Sequence, residues 1–136
     1  MVWLAVSSTG NLTIRELQST GQARLALYDS SLRAAIDRYR YLPYVVARHH
    51  QVIQAISDPQ TAQIANLYLE RVNNRSGAAA LYVLDRTGVT VASSNWNTPD
   101  SFVGEDYSFR PYYSLALAGN EGFFFGIGVT TGRAGV

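Results

Sequence analysis

The sequence predicts an α+β domain, a long helix and a second helix packed on an antiparallel sheet, on three observations. Apolar residues recur at steps of three and four through the first half of the chain. The period changes at Ala80, where two apolar runs flank Asp85-Arg86-Thr87-Gly88. A polar stretch rich in Ser, Asn, Asp, Pro and Gly then separates that hairpin from one more short helix and a final apolar run. With 136 residues, 47% hydrophobic and 15% charged, there is room for one packed domain and no case for disorder.

The first helix is expected from Asn11 to about Leu42. Its seam is Leu25, Tyr28, Leu32, Ala35, Tyr39 and Leu42, a heptad pattern, and the opposite face carries Arg24, Asp29, Arg33, Asp37, Arg38 and Arg40. Pro43 should kink or break it. Helical spacing continues from Tyr44 to Ile56. Asp58-Pro59 reads as an N-cap with proline at the first helical position, opening a second helix to about Asn73 that should bury Ile64, Leu67, Tyr68 and Val72. Gly77 after a polar run is its stop.

Strands are expected near 80–84, 89–93 and 122–131, with Gly88 at the hairpin position that wants a positive φ. Residues 94–106 form a loop. A short helix spans about 109–118, ending at Gly119-Asn120. Three strands leave a sheet cut short at the C-terminal end. Residues 1–10 are read as the clipped end of a transmembrane or juxtamembrane segment, because the apolar opening is far shorter than the ~20 residues a span requires. The remaining organisation is 11–57 as the long helix with its kink at Pro43, and 58–136 as the sheet-bearing unit.

Charge excludes some functions. A net charge of +1 from 11 basic and 10 acidic residues argues against nucleic acid as a partner. All basic residues are Arg. Residues 1–75 hold eight of them against five acids, whereas residues 76–136 hold Arg86, Arg110 and Arg133 against five acids. Zero Cys removes thiolate chemistry and disulfides. His49 and His50 are adjacent, so on a helix they point about 100° apart and cannot chelate one ion together. No phosphate-binding, zinc-protease or nucleophile-elbow motif occurs. No catalytic residue, metal or cofactor is expected.

One segment stands out. In Asp106-Tyr107-Ser108-Phe109-Arg110-Pro111-Tyr112-Tyr113 a single guanidinium is set among four aromatic rings at the start of a short helix. A guanidinium fork matches a carboxylate bidentately, and Tyr107, three residues before Arg110, can bring a phenol to the same small anion. Ser93, Ser94, Thr130 and Thr131 are the hydroxyl donors the sheet can add.

Several blocks recur in an order that resembles a known family: Arg38 through Arg48, Ala80-Leu-Tyr-Val-Leu-Asp85 with Gly88, Ala92-Ser-Ser-Asn-Trp96, Ser101-Phe-Val-Gly104, Tyr107-Ser-Phe-Arg-Pro-Tyr-Tyr113 and Gly128-Val-Thr-Thr-Gly132. Over about residues 20–133 the chain is similar to the periplasmic sensor region of C4-dicarboxylate sensor histidine kinases of the DctB type. The resemblance implies the membrane-proximal helix and most of the membrane-distal PAS-like unit of a double Cache domain. It implies a dicarboxylate ligand such as succinate, fumarate or malate held by Tyr107 and Arg110. One of Ser93 and Ser94 and one of Thr130 and Thr131 then serve as hydroxyl donors, with a further basic residue drawn from strands past Val136. It also implies membrane anchoring in the parent chain and a periplasmic location; the heptad seam, longer than a domain this small needs, adds a homodimer through the long helix. Two other readings compete: a Cache domain of a chemoreceptor or amino-acid sensor, whose ligand ammonium Asp100, Glu105 or Asp106 would meet, and a helical dimerisation element without ligand.

Overall fold

The computed structural model describes residues 2–5, 21–120, 126–127 and 134–135. Its elements are β1 (Val2–Ala5), α1 (Gly21–Tyr39), α2 (Tyr41–Ala47), α3 (His50–Ser57), a 3-10 turn (Pro59–Thr61), α4 (Ala62–Ser76), β2 (Ala80–Leu84), β3 (Thr90–Ser93), α5 (Pro111–Leu117), β4 (Gly126–Ile127) and β5 (Ala134–Gly135). The predicted α+β architecture is present. Helices α2 to α4 pack on one face of an antiparallel sheet in the order β1-β2-β3, and β4 pairs with β5 separately.

The count of three strands is corrected to five among the described residues. Part of the difference is β1, which pairs with β2 in the register Val2↔Val83 to Ala5↔Ala80. The four apolar residues Val2–Ala5 suit an edge strand as well as the end of an apolar span, and periodicity cannot separate the two. Most of the expected third strand, 122–131, lies outside the described residues.

The long helix is also divided. Pro43 has no N–H to give the Tyr39 carbonyl, and its ring crowds that carbonyl, so the regular helix ends at Tyr39 and resumes at Tyr41. A second break at Arg48 and His49 precedes α3. Residues 6–20, including the expected start at Asn11, lie outside the described residues. The seam runs from solvent into the core: Leu25 and Tyr28 are exposed, whereas Tyr39 and Leu42 are buried. On the opposite face Asp29 pairs with Arg33 at 2.9 Å.

Asp58 caps the 3-10 turn by accepting from the Gln60 N–H at 3.0 Å, and Gly77, at φ 73°, stops α4. The buried face of α4 is not the one expected. Ala65, Asn66 and Leu69 are buried, Tyr68 and Val72 are partly buried, and Ile64 and Leu67 remain 48% and 44% exposed. Small Ala65 faces the sheet where Ile64 was expected to, and the helix is turned accordingly.

Strand β2 is covered on both faces. Leu81 and Val83 join Val46, Val52, Ala55, Leu69 and Ala92 in the helix-side core. Ala80, Tyr82 and Leu84 point the other way and meet Phe102, Tyr107 and Tyr112. A strand buried on both sides reads as a continuous apolar run, which is what Ala80 through Leu84 is.

Candidate functional site

The second face of β2 is roofed by residues 94–113, and backbone pairing fixes that roof. Beyond β3 the chain turns back, and residues 104–107 run along the outer edge of β3. The Thr90 N–H donates to the Glu105 carbonyl at 2.9 Å, the Gly104 N–H to the Thr90 carbonyl at 2.9 Å, and the Tyr107 N–H to the Gly88 carbonyl at 2.8 Å. Gly88 has φ 91°, and a Cβ there would lie 2.5 Å from the Ser108 Cβ and 2.7 Å from its Cα. Only glycine allows the hairpin turn and the segment carrying Tyr107 to lie this close.

Under this roof Phe102 lies edge to face with Tyr82 and Tyr107, and those two rings are tilted against each other. Tyr82 and Phe102 have centroids 5.2 Å apart at 80°, Tyr82 and Tyr107 are 5.4 Å apart, and Phe102 and Tyr107 are 6.1 Å apart at 83°. The Tyr82 and Tyr112 hydroxyls share a 2.9 Å hydrogen bond in the interior. Arg110 precedes Pro111, the first residue of α5, and its backbone N–H donates to the Tyr107 carbonyl, so Tyr107 and Arg110 stand at the two ends of one tight turn. The guanidinium also lies 5.0 Å from the Phe109 ring centroid.

The Arg110 charge acts on two buried phenols. Burial pushes the Tyr82 phenol far up, with Tyr112 adding to the rise and Arg110 opposing it. Burial likewise pushes Tyr112 up to about 12, against the Tyr82 bond and the Arg110 charge. Arg110 thus acts on both phenols, and both stay protonated at neutral pH.

The six residues singled out from the sequence fare differently. Tyr107 and Arg110 are linked through the backbone of one turn. Ser93 is the cross-strand partner of Tyr82, so it belongs to the same face of the sheet; it is fully buried, and its hydroxyl donates to Asn95 Oδ1 at 2.6 Å. Ser94 Oγ accepts from the Leu81 N–H at 2.9 Å, closing the end of the ladder. Thr130 and Thr131 lie outside the described residues. Sequence reasoning missed Tyr82 and Phe102. The signal for Tyr82 was its alternation with Leu81 and Val83, which sends it to the face opposite the helices.

Of the three acids weighed for an ammonium, Asp106 accepts from the Ser108 N–H at 2.8 Å and is held below the usual carboxylate range by that bond. His49 and His50 lie at the start of α3, away from this roof. The His49 ring stacks on Tyr68 at 3.8 Å, and burial lowers its pKa. Among the described residues no group of three His, Cys, Asp or Glu is placed to hold a metal ion, and no helix is long and apolar enough to cross a membrane.

The fold is that of a histidine-kinase sensor domain. The chain matches the crystal structure of the V. cholerae histidine kinase DctB sensor domain with a TM-score of 0.77 and 34% identity, over 88% of this chain and 48% of that one. In sequence it is homologous to C4-dicarboxylate transport sensor protein DctB: 39% identical over 120 residues to the protein of Rhizobium meliloti, 85% of this chain, and 36% identical over 123 residues to that of Pseudomonas aeruginosa, 88% of this chain. The chain spans about a fifth of the length of these curated relatives. No family model matches it.

Proposed function

We propose that this chain is the periplasmic ligand-binding input domain of a two-component sensor histidine kinase, and that its ligand is a C4-dicarboxylate such as succinate, fumarate or malate. The observation that carries the reading is Arg110 on a tight turn beside Tyr107, its charge acting on the buried Tyr82 and Tyr112 phenols. In this reading Arg110 takes one carboxylate through its fork, Tyr107 donates to it, and a hydroxyl from one of Ser93 and Ser94 and one from Thr130 or Thr131 complete the ligand's surroundings. The domain binds and signals without catalysing a reaction; phosphotransfer and membrane anchoring belong to the parent chain. The names of the relatives support the dicarboxylate.

Calorimetric titration of succinate tests this. Arg110→Ala should weaken binding by roughly 30-fold to several thousand-fold, the equivalent of about 2–5 kcal/mol for leaving a bound anion without its charged partner. Arg110→Lys should fail nearly as badly, since an ammonium cannot present a planar fork. Tyr107→Phe should lose about 1 kcal/mol, one neutral hydrogen bond. Amino acids titrated in parallel separate the amino-acid-sensor alternative, and wild-type affinity in Arg110→Ala ends the clamp.

A homodimer through α1 is part of the proposal. Leu25, Leu27 and Tyr28 are 56%, 68% and 45% exposed, and among the described residues the helix is anchored in the core at its C-terminal end, by Tyr39. The helical dimerisation reading therefore joins the sensor reading instead of replacing it.

A further inference from the structure

Helix α4 holds the candidate site from behind through two side chains one turn apart. Asn66 is buried on the helix face beside Ala65 and Leu69, where an aliphatic residue would pack without cost. Its Oδ1 accepts from the Ser93 N–H at 2.8 Å. Four residues on, and so on the same face, Glu70 Oε2 accepts from the Trp96 indole N–H at 2.9 Å. The two acceptors grip the chain at both ends of the four-residue turn that leaves β3.

That turn is wired to the rings. Asn95 Oδ1, between the two anchor points, accepts from Ser93 Oγ at 2.6 Å and from the Phe102 N–H at 3.1 Å, and Asn95 Nδ2 donates to the Asp100 carbonyl at 2.8 Å. Phe102 then lies edge-on to both Tyr82 and Tyr107. A shift of residues 93–96 relative to α4 has a bonded route to the phenol wall, and no residue of α4 itself needs to touch a ligand.

We propose that Asn66 and Glu70 are positioning residues of the ligand site, acting through Ser93 and Trp96 to hold Phe102, Tyr82 and Tyr107 in the geometry that Arg110 requires. The proposal rests on the reading of this face as a carboxylate site.

The test compares Glu70→Ala, Glu70→Gln and Asn66→Leu with the parent sequence, by succinate titration and by the Tyr82 and Tyr107 ring signals and the Trp96 indole signal in nuclear magnetic resonance spectra without ligand. Glu70→Ala should weaken succinate roughly tenfold and move the ring signals, and Asn66→Leu should do the same. Glu70→Gln retains a carbonyl acceptor and should restore affinity and ring signals together. Glu70 is only half-buried, so its variants report even where Asn66→Leu does not fold. Variants that lower the melting temperature while ring signals and affinity stay at parent values overturn the proposal. If the parent sequence takes no dicarboxylate, the functional reading falls, and the ring signals alone decide the positioning role: moved rings sustain it and unmoved rings overturn it.

Discussion

Thr90 shows how a single atom can be set against the stability of this fold. It is 2% exposed, pairs across the sheet with Leu84, and its Oγ1 has no hydrogen-bond partner among the described residues. A buried hydroxyl without a partner carries its desolvation cost with nothing in return. Thr90→Val keeps shape and β-branching while removing that cost, and should leave the melting temperature unchanged or raise it, by up to about 1–2 kcal/mol of stability. Thr90→Ser keeps the hydroxyl, deletes a methyl and should cost about 1 kcal/mol, so thermal melts of the two variants should move apart. Asp85 is the opposite case. Burial would raise its pKa, but bonds from the Thr87 hydroxyl and N–H, with further bonds from Val89 and Gly88, outweigh burial and hold the carboxyl below its ordinary value. A carboxyl depressed in the folded state stabilises above its unfolded pKa of about 3.9, and that contribution disappears as pH falls through the folded value. Asp85→Ala should therefore be less stable than the parent by about 1–2 kcal/mol at pH 7. Denaturant titrations across pH should show the gap closing below about pH 4.

At the scale of elements, the segments most legible in the sequence were those whose ends carry their own chemistry. Asp58-Pro59, Gly77, Gly88 and Gly119 each mark a real boundary, because a cap, a fixed φ or a positive φ is a property of one residue and its immediate neighbours. The face a helix buries was less legible. On α4 the Ile64 and Leu67 side chains were the stronger apolar signal, yet Ala65 and Leu69 pack inward, since fitting against β2 and β3 rewards small size at the point of closest approach. Helix α1 has the same ambiguity in another form. Residues 24–31 are all exposed, and its fixed point is Tyr39, whose ring is buried and whose hydroxyl donates to the Gly77 carbonyl at the end of α4. Among the described residues the stretch 24–31 gains little from tertiary contact, and a stretch that short is marginal as a helix on its own. Its amides should exchange quickly in dilute protein and become protected as concentration rises, if the exposed seam is an interface between two copies. Hydrogen exchange across a hundredfold range of concentration measures this, and protection independent of concentration contradicts the dimer.

For the molecule as a whole, the decisive arrangement is that one strand serves two cores. Of the site, Arg110 and Tyr107 were legible because they lie three residues apart in one turn; Tyr82 and Phe102 were not, because 25 and five residues respectively separate them from Tyr107 and only the folded sheet brings the rings together. Strand β2 turns Leu81 and Val83 to the helices and Tyr82 and Leu84 to the candidate site, so neither core can be lost while the other keeps its central strand. Unfolding of the two faces should consequently be a single transition. Leu81→Ala, on the helix side, should cost about 2–5 kcal/mol, and Phe102→Ala, on the site side, about 3–5 kcal/mol. Each should shift far-ultraviolet circular dichroism, which follows the helices, and the Tyr82, Tyr107 and Tyr112 ring signals in nuclear magnetic resonance spectra, to the same new midpoint. Were the faces independent, Phe102→Ala would lower only the aromatic midpoint and leave the helical one in place. Two separated midpoints in that variant would mean that the ligand face melts on its own, and the strand shared between the cores would not be what couples the site to the helices.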